Sequence, residues 1–215
     1  PPAPATVLDV GGGPGAYAFW LAEEGYSVHL IDAVPKHIDQ AREQANQHPD
    51  APLTTLAVGD ARHLEHEDGS ADAILLLGPL YHLVDIADRH QSLTEAFRVL
   101  RDGGVAILGA ISRHTSLMGG LMEGGIHTPV FADIVRQDLK DGQHRNPPGH
   151  HYFTDAIFHL PEELEEEAQS AGFIVEDTLA IEGPASWIPN IKERWAEEQK
   201  RRDLLEFARQ TARDS

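Results

Sequence analysis

The sequence predicts an α/β fold: a doubly wound, mostly parallel sheet with a helical and loop cap inserted after the fifth strand. Three observations carry this. A glycine-rich turn, Gly11-Gly12-Gly13-Pro14-Gly15, separates an apolar run from a helical stretch. A second apolar run ends in a carboxylate, Asp32. Apolar strand-length segments then alternate with helical ones as far as residue 108, the pattern of right-handed crossovers over a parallel sheet.

The elements follow in order. Thr6 to Val10 is a strand, and Ala16 to Glu24 is a helix with Phe19, Trp20 and Ala22 available to the core. Gly25 ends that helix, and Val28 to Ile31 is the second strand. Pro35 suits the first turn of a helix running to about His48, because proline needs no amide partner there. Leu53 to Val58 is the third strand. Ala71 to Leu77 is the fourth, apolar along nearly its whole length as a strand covered on both faces would be. A helix from about Asp85 to Leu100 carries Ile86, Leu93, Ala96, Phe97 and Leu100 at helical spacing. Arg101-Asp102-Gly103-Gly104 turns the chain into a fifth strand, Val105 to Leu108.

Residues 110–160 break the pattern. Glycine and proline punctuate them, and one helix, Pro129 to Leu139, stands between. A stretch this long after a strand's carboxyl end reads as a cap over a ligand. Pro161 to Ala171 restores helical order, Phe173 to Ile181 is a sixth strand, and a charged helix runs from Ile191 to about Ala212. The expected organisation is a cofactor-binding core over 1–109, a cap or substrate-binding insertion over 110–160, and a return to the core with a carboxyl-terminal helix over 161–215.

Composition narrows the function. Seventeen Lys and Arg stand against 35 Asp and Glu, a formal charge of −18, which on average repels nucleic acid and anionic membrane surfaces. There is no cysteine, so disulfides, thiolate catalysis and thiolate zinc sites are excluded. Histidines in the insertion, His127, His144, His150 and His151, form no helical metal-binding pair. No metal, nucleic-acid or membrane partner is expected. A cytoplasmic location is, and the oligomeric state is left open.

Gly11, Gly13 and Gly15 permit tight turning and close approach of a ligand to the backbone. The helix behind them offers free N–H groups and a positive dipole end. Asp32, 21 residues beyond Gly11, is placed to accept hydrogen bonds from both hydroxyls of an adenosine ribose. These features point to an adenosine cofactor. Spacing alone leaves nicotinamide dinucleotide and S-adenosylmethionine both open, since Gly11-x-Gly13-x-x-Ala16 also passes as a dinucleotide fingerprint.

Asp9-Val10-Gly11-Gly12-Gly13-Pro14-Gly15 resembles the first motif of class I S-adenosylmethionine-dependent methyltransferases. Asp32 resembles that family's ribose-binding acid, Gly59-Asp60-Ala61 its third-strand motif, Asp72 to Leu77 its fourth strand, and Arg101 to Gly104 the turn before its fifth. The resemblance covers residues 6–109 and returns at 161–181. It implies S-adenosyl-L-methionine as cofactor and S-adenosyl-L-homocysteine as product. It implies that Gly11, Gly12, Gly13 and Gly15 face the methionine and ribose, that Asp9 supports the loop and reaches the methionine ammonium, and that Tyr17 covers the methionine end. Asp32 would hold the ribose, with Ala33 along the adenine. Asp60 would accept from the adenine amine, with Ala61 and Arg62 beside the ring, and Leu77 and Gly78 would pass near the sulfonium. The family's sheet ends in a seventh, antiparallel strand, and the sequence reaches its last residue without one.

The acceptor is less defined. Leu77-Gly78-Pro79-Leu80-Tyr81-His82-Leu83 lacks the Asn/Asp-Pro-Pro-Tyr/Phe signature used on base and glutamine nitrogens. Tyr81 and His82 are the expected catalytic residues, because histidine takes a proton near neutral pH. Arg113, His151 and Tyr152 join them as expected acceptor contacts, and Met118, Leu121 and Met122 as an apolar wall. The expected activity is methyl transfer to an oxygen or nitrogen of a small molecule. The alternatives are a protein or RNA methyltransferase, an NAD-dependent oxidoreductase, and a non-catalytic cofactor-binding regulator.

Overall fold

A computed structural model describes residues 1–181 and 190–212. Five parallel strands form the main sheet in the order β3-β2-β1-β4-β5. They are β1 Thr6–Val10, β2 Ser27–Asp32, β3 Thr55–Val58, β4 Ala71–Leu76 and β5 Leu100–Leu108. The chain moves outward from β1 to β3, then returns to start again at β4. The crevice between the carboxyl ends of β1 and β4 is therefore the switch point, where open α/β sheets bind ligands.

Alternation along the strands divides the core. Leu8, Val10, Ile74 and Leu76 face one side and pack with Ala96 and Val99 of α4 (Ile86–Val99). Val28 and Leu30 face the other and pack with Ala18 and Phe19 of α1 (Ala16–Glu23) and Ile38 and Ala41 of α2 (Pro35–Ala45). Helices on both faces explain why β1 and β4 are almost wholly apolar. The short helix α3 (Pro79–His82) follows β4, and the Asp85 carboxylate caps α4 by accepting from the Ala87 N–H at 2.9 Å.

Some expectations are corrected. Trp20, Ile86 and Phe97 are exposed; the buried faces of their helices run instead through Ala18, Phe19 and Ala22 and through Leu93, Ala96 and Val99. The turn at 101–104 is present as a bulge: Ala71 pairs with Leu100, but Ala73 pairs with Val105. Phe173 to Ile181 forms no strand. Phe173 instead sets its ring edge-on against Phe97, 5.3 Å between centroids. The Thr178 hydroxyl donates to Glu165, and the Ala180 N–H to the Ala212 carbonyl. Backbone and side-chain polar groups so engaged do not build a ladder on β5. The carboxyl-terminal helix is two helices, α8 (Ile191–Ala196) and α9 (Glu198–Thr211), broken where Glu197 is extended.

Residues 110–160 hold more regular structure than their sequence suggests. The expected helix is present as α6 (Pro129–Asp141), preceded by α5 (Thr115–Glu123). Three short strands, β6 (Ile111–Ser112), β7 (Gln143–His144) and β8 (Ala156–His159), make a second sheet in the order β6-β8-β7. The chain then enters α7 (Pro161–Ser170). Among the described residues no helix is long and apolar enough to cross a membrane.

Candidate functional site

The loop after β1 is built around its backbone. The Gly11 N–H donates to the Ile31 carbonyl at 2.7 Å and fixes the loop to β2. Gly11 has φ +71°, and a Cβ there would lie 2.6 Å from the Pro79 ring. Glycine is thus required twice over, by conformation and by the approach of α3. Above Gly13 the space is open, with no atom within 4 Å of a Cβ built there.

Two carboxylates bracket this loop. Asp32 is buried at the end of β2. Its Oδ2 accepts from the Gly13 N–H at 2.8 Å, and its Oδ1 from the Val34 N–H at 2.8 Å, with the His37 Nδ1 at 3.0 Å. Asp9 lies almost wholly buried beneath Gly12, whose Cβ would fall 2.4 Å from its Oδ2. That oxygen has no hydrogen-bond partner. Burial, and to a lesser extent the charge of Asp32, push the Asp9 carboxyl up to about 6 despite a backbone hydrogen bond from Ala18.

Asp60 follows β3. The Arg62 guanidinium forks onto it, with Nη2 to Oδ2 at 2.6 Å, and reaches Asp88 at 2.8 Å. Hydrogen bonding to Arg62 lowers the Asp60 carboxyl against its partial desolvation. Ala61 is buried under this pair, while Ala33 and Tyr17 are exposed at the rim. Leu77 and Gly78 lead from β4 into α3, and a Cβ on Gly78 would meet the Gly11 carbonyl oxygen at 3.0 Å. The structure thus brings Asp9, Gly11, Gly12, Gly13, Gly15, Asp32, Leu77 and Gly78 together at the switch point, with Asp60 to Arg62 at the end of the adjoining β3.

On α3, Tyr81 and His82 hold their rings 4.6 Å apart. Partial burial lowers the His82 imidazole below its usual value, opposed by the charge of Asp32. Its ring stacks 6.2 Å from Phe153 of the 110–160 segment. Behind Phe153 lies a cleft of about 300 Å³ between α5, α6 and β8, lined by Phe131, Tyr152, Phe153 and Phe158 among others. Of the expected acceptor contacts, Tyr152 lines this cleft. Arg113 does not: its guanidinium is held by Glu163 at 2.5 Å and by the Phe158 carbonyl at 3.3 Å. His151 is exposed on the loop beside Tyr152, and Leu121 and Met122 point to solvent.

Two buried polar groups are not legible in the motif pattern. At the cleft, the Ser116 hydroxyl donates to Asp138 Oδ2 at 2.6 Å, and His144 Nδ1 donates to the same oxygen at 2.8 Å. Between the regions, Arg89 of α4 makes a two-pronged pair with Glu167 of α7 at 2.7 and 2.9 Å. It also donates to the Leu83 and Val84 carbonyls, both at 2.9 Å. Burial alone would raise Glu167, but His159 and Arg89 hold it at about 2. A faint signal exists for each. Asp138 shares the apolar stripe of Ile134 and Val135, and Arg89 that of Leu93 and Ala96.

An open doubly wound sheet with a glycine loop and a strand-end acid at its switch point defines a nucleoside-cofactor domain. A family model described as a methyltransferase domain matches residues 7–104. The chain is 33% identical over 162 residues to the glycine/sarcosine N-methyltransferase of Parasynechococcus marenigrum, covering 72% of this chain and 56% of that one. It is 33% identical over 101 residues to a ubiquinone/menaquinone biosynthesis C-methyltransferase of Bartonella quintana, covering 46% and 38%. The chain therefore spans about half the length of the curated relatives it matches. A SAM-dependent methyltransferase of Methanosarcina mazei shares the fold, with a TM-score of 0.63 at 22% identity over 80% of this chain and 81% of that one. Residues 7–104 thus match a methyltransferase-domain family, and the chain shares the fold of a SAM-dependent methyltransferase.

The residues present fit that family's cofactor. The space above Gly13 is open, Asp32 retains lone pairs for a ribose, and Asp9 Oδ2 is an orphaned buried acceptor beneath the loop. An anionic acceptor without a partner is completed by a cationic donor, and the methionine part of S-adenosylmethionine carries an ammonium.

Proposed function

We propose that this chain is an S-adenosylmethionine-dependent methyltransferase that methylates an oxygen or nitrogen of a small molecule. The observation that carries the reading is the open glycine loop bracketed by Asp9 and Asp32, with α3 between it and the aromatic cleft. Bound S-adenosylmethionine supplies an electrophilic methyl group on a sulfonium. In this reading Gly11, Gly12, Gly13 and Gly15 hold its amino-acid part and ribose, with Asp9 below and Tyr17 above. Asp32 accepts from the ribose hydroxyls, and Ala33, Asp60, Ala61 and Arg62 border the adenine. Leu77 and Gly78 flank the methyl, and Tyr81 and His82 position the acceptor in line with it, where alignment supplies much of the rate. Residues 110–160 cap the acceptor and exclude water. A cytoplasmic setting suits such an enzyme.

Calorimetry with S-adenosylhomocysteine and, separately, NAD tests the cofactor. Binding of the first and not the second is expected, and binding of NAD alone contradicts the reading. Asp32→Ala should weaken S-adenosylhomocysteine at least tenfold, about 1.4 kcal/mol, because two hydroxyls lose a charged acceptor. Formation of S-adenosylhomocysteine with a panel of small hydroxyl and amine compounds tests the acceptor class, and turnover on protein or RNA alone would reject it.

A further inference from the structure

We propose that Ser116, Asp138 and His144 form a proton-accepting group at one corner of the cap cleft, and that the cleft takes a flat, hydroxyl-bearing aromatic acceptor. The inference rests on the methyltransferase reading for the transfer step and on the cleft alone for binding.

The geometry is that of an oriented base. The Asp138 and His144 side chains are 1% and 3% exposed. An ionised Asp138 only accepts, so Oδ2 takes hydrogen bonds from Ser116 Oγ and from His144 Nδ1. That bond assigns the ring proton to Nδ1 and leaves a lone pair on Nε2. Nε2 is buried, has no hydrogen-bond partner, and belongs to a residue lining the cleft. Phe158 stacks on the imidazole at 4.9 Å and fixes its plane. A buried acceptor without a donor is costly, and a ligand hydroxyl at this corner removes that cost. His82 differs: among the described residues nothing hydrogen-bonds its ring, so no carboxylate orients it as Asp138 orients His144.

The walls select the ligand. Phe131, Tyr152, Phe153 and Phe158 offer ring faces and edges to a flat apolar body. Glu123 also lines the cleft, and among the described residues no Lys or Arg does. A free amino acid would set its carboxylate against Glu123 with no cation to receive it. The glycine-type acceptor named for one relative therefore fits this cleft poorly, and a neutral phenol fits it well. In the transfer step the acceptor O–H breaks and its proton goes to His144 Nε2. The oxygen pair forms the new bond to the methyl carbon, while the carbon–sulfur pair stays on sulfur and turns the sulfonium donor into a neutral thioether. Asp138 balances the imidazolium until it releases the proton to solvent.

The test uses the full chain at pH 7 with 4-nitrophenol as probe, read by calorimetry and by ¹⁵N NMR of the histidine rings. His144→Gln identifies the His144 signals by their loss. The wild type should bind the probe, His144→Gln should bind it at least tenfold more weakly, and the wild-type Nε2 signal should move from the unprotonated toward the protonated position on binding. Asp138→Asn should redistribute the His144 tautomer, which a purely structural role for Asp138 would not do. Equal binding by wild type and His144→Gln, no binding by the wild type, or an Nε2 already protonated without the probe would each overturn the proposal. If His144→Gln does not fold, the wild-type spectra alone decide. Calorimetry with S-adenosylhomocysteine on the same samples separates the two readings: its failure with probe binding intact removes the methyltransferase assignment and leaves the cleft.

Discussion

The loop after β1 and the cleft beside α6 both gather buried carboxylates, and they do so by opposite means. At the loop, Asp9, Gly11, Gly13 and Asp32 lie within two adjacent parallel strands and the turn between them. Their geometry follows from local backbone rules plus one ladder. At the cleft, Ser116, Asp138 and His144 come from α5, α6 and β7, and only the packing of those elements brings them together. The carboxylates differ accordingly. Each has one buried oxygen without a donor, but Asp9 is pushed up to about 6, whereas the other oxygen of Asp138 takes hydrogen bonds from two side chains. The loop leaves an acceptor oxygen of Asp9 unpaired, and the cleft leaves a ring nitrogen of His144 unpaired.

The comparison breaks most severely at the joint between the regions. Arg89→Met should lower stability by about 3–5 kcal/mol, because it leaves Glu167 buried with its main partner gone. Urea denaturation should detect it. The same pair sets an acid limit. Glu167 sits at about 2, below its ordinary 4.5, so its contribution is full above about 4.5 and is lost as the pH falls toward 2. A wild-type midpoint that stays level over that window would contradict this.

Gly11→Ala should be the next largest effect, about 1–3 kcal/mol of overpacking against Pro79, with weakened S-adenosylhomocysteine binding. Gly103→Ala is its control: it has φ +75° but nothing within 4 Å of the added Cβ, and should leave binding unchanged.

Asp9→Asn sharpens the contrast in sign. A carboxyl raised to about 6 in the folded chain destabilises it progressively as the pH climbs from about 4 to 6. The substitution should remove that slope and raise stability near pH 7 by about 1–2 kcal/mol, while lowering affinity for S-adenosylhomocysteine. Thermal melts at pH 4, 6 and 8 check the slope. Equal slopes in both proteins would show that Asp9 is not strained.

How much was legible in the sequence follows the same division. All five strands of the main sheet were: β4 because a strand covered on both faces announces itself, and the others from the turn residues beside them, with Gly11, Gly15 and Gly25 around the first helix and Arg101 to Gly104 at β5. Asp32 was legible from its distance to Gly11. The second sheet was not, since β6 and β7 are two residues each and exist only through their pairing with β8. Phe173 to Ile181 misled for the converse reason: its residues favour a strand, but their partners lie on α4, α7 and α9. Arg113 was expected at the acceptor and is bound to Glu163, a contact 50 residues away in sequence that no local pattern encodes.

The most direct test of the account is site-resolved hydrogen exchange of the whole chain with and without saturating S-adenosylhomocysteine. The account predicts slowed exchange at residues 9–17, 32–37 and 77–82, where the loop, Asp32 and α3 meet at the switch point, and no comparable change in α6. Unchanged exchange across those three segments, or protection confined to 110–160, would contradict it.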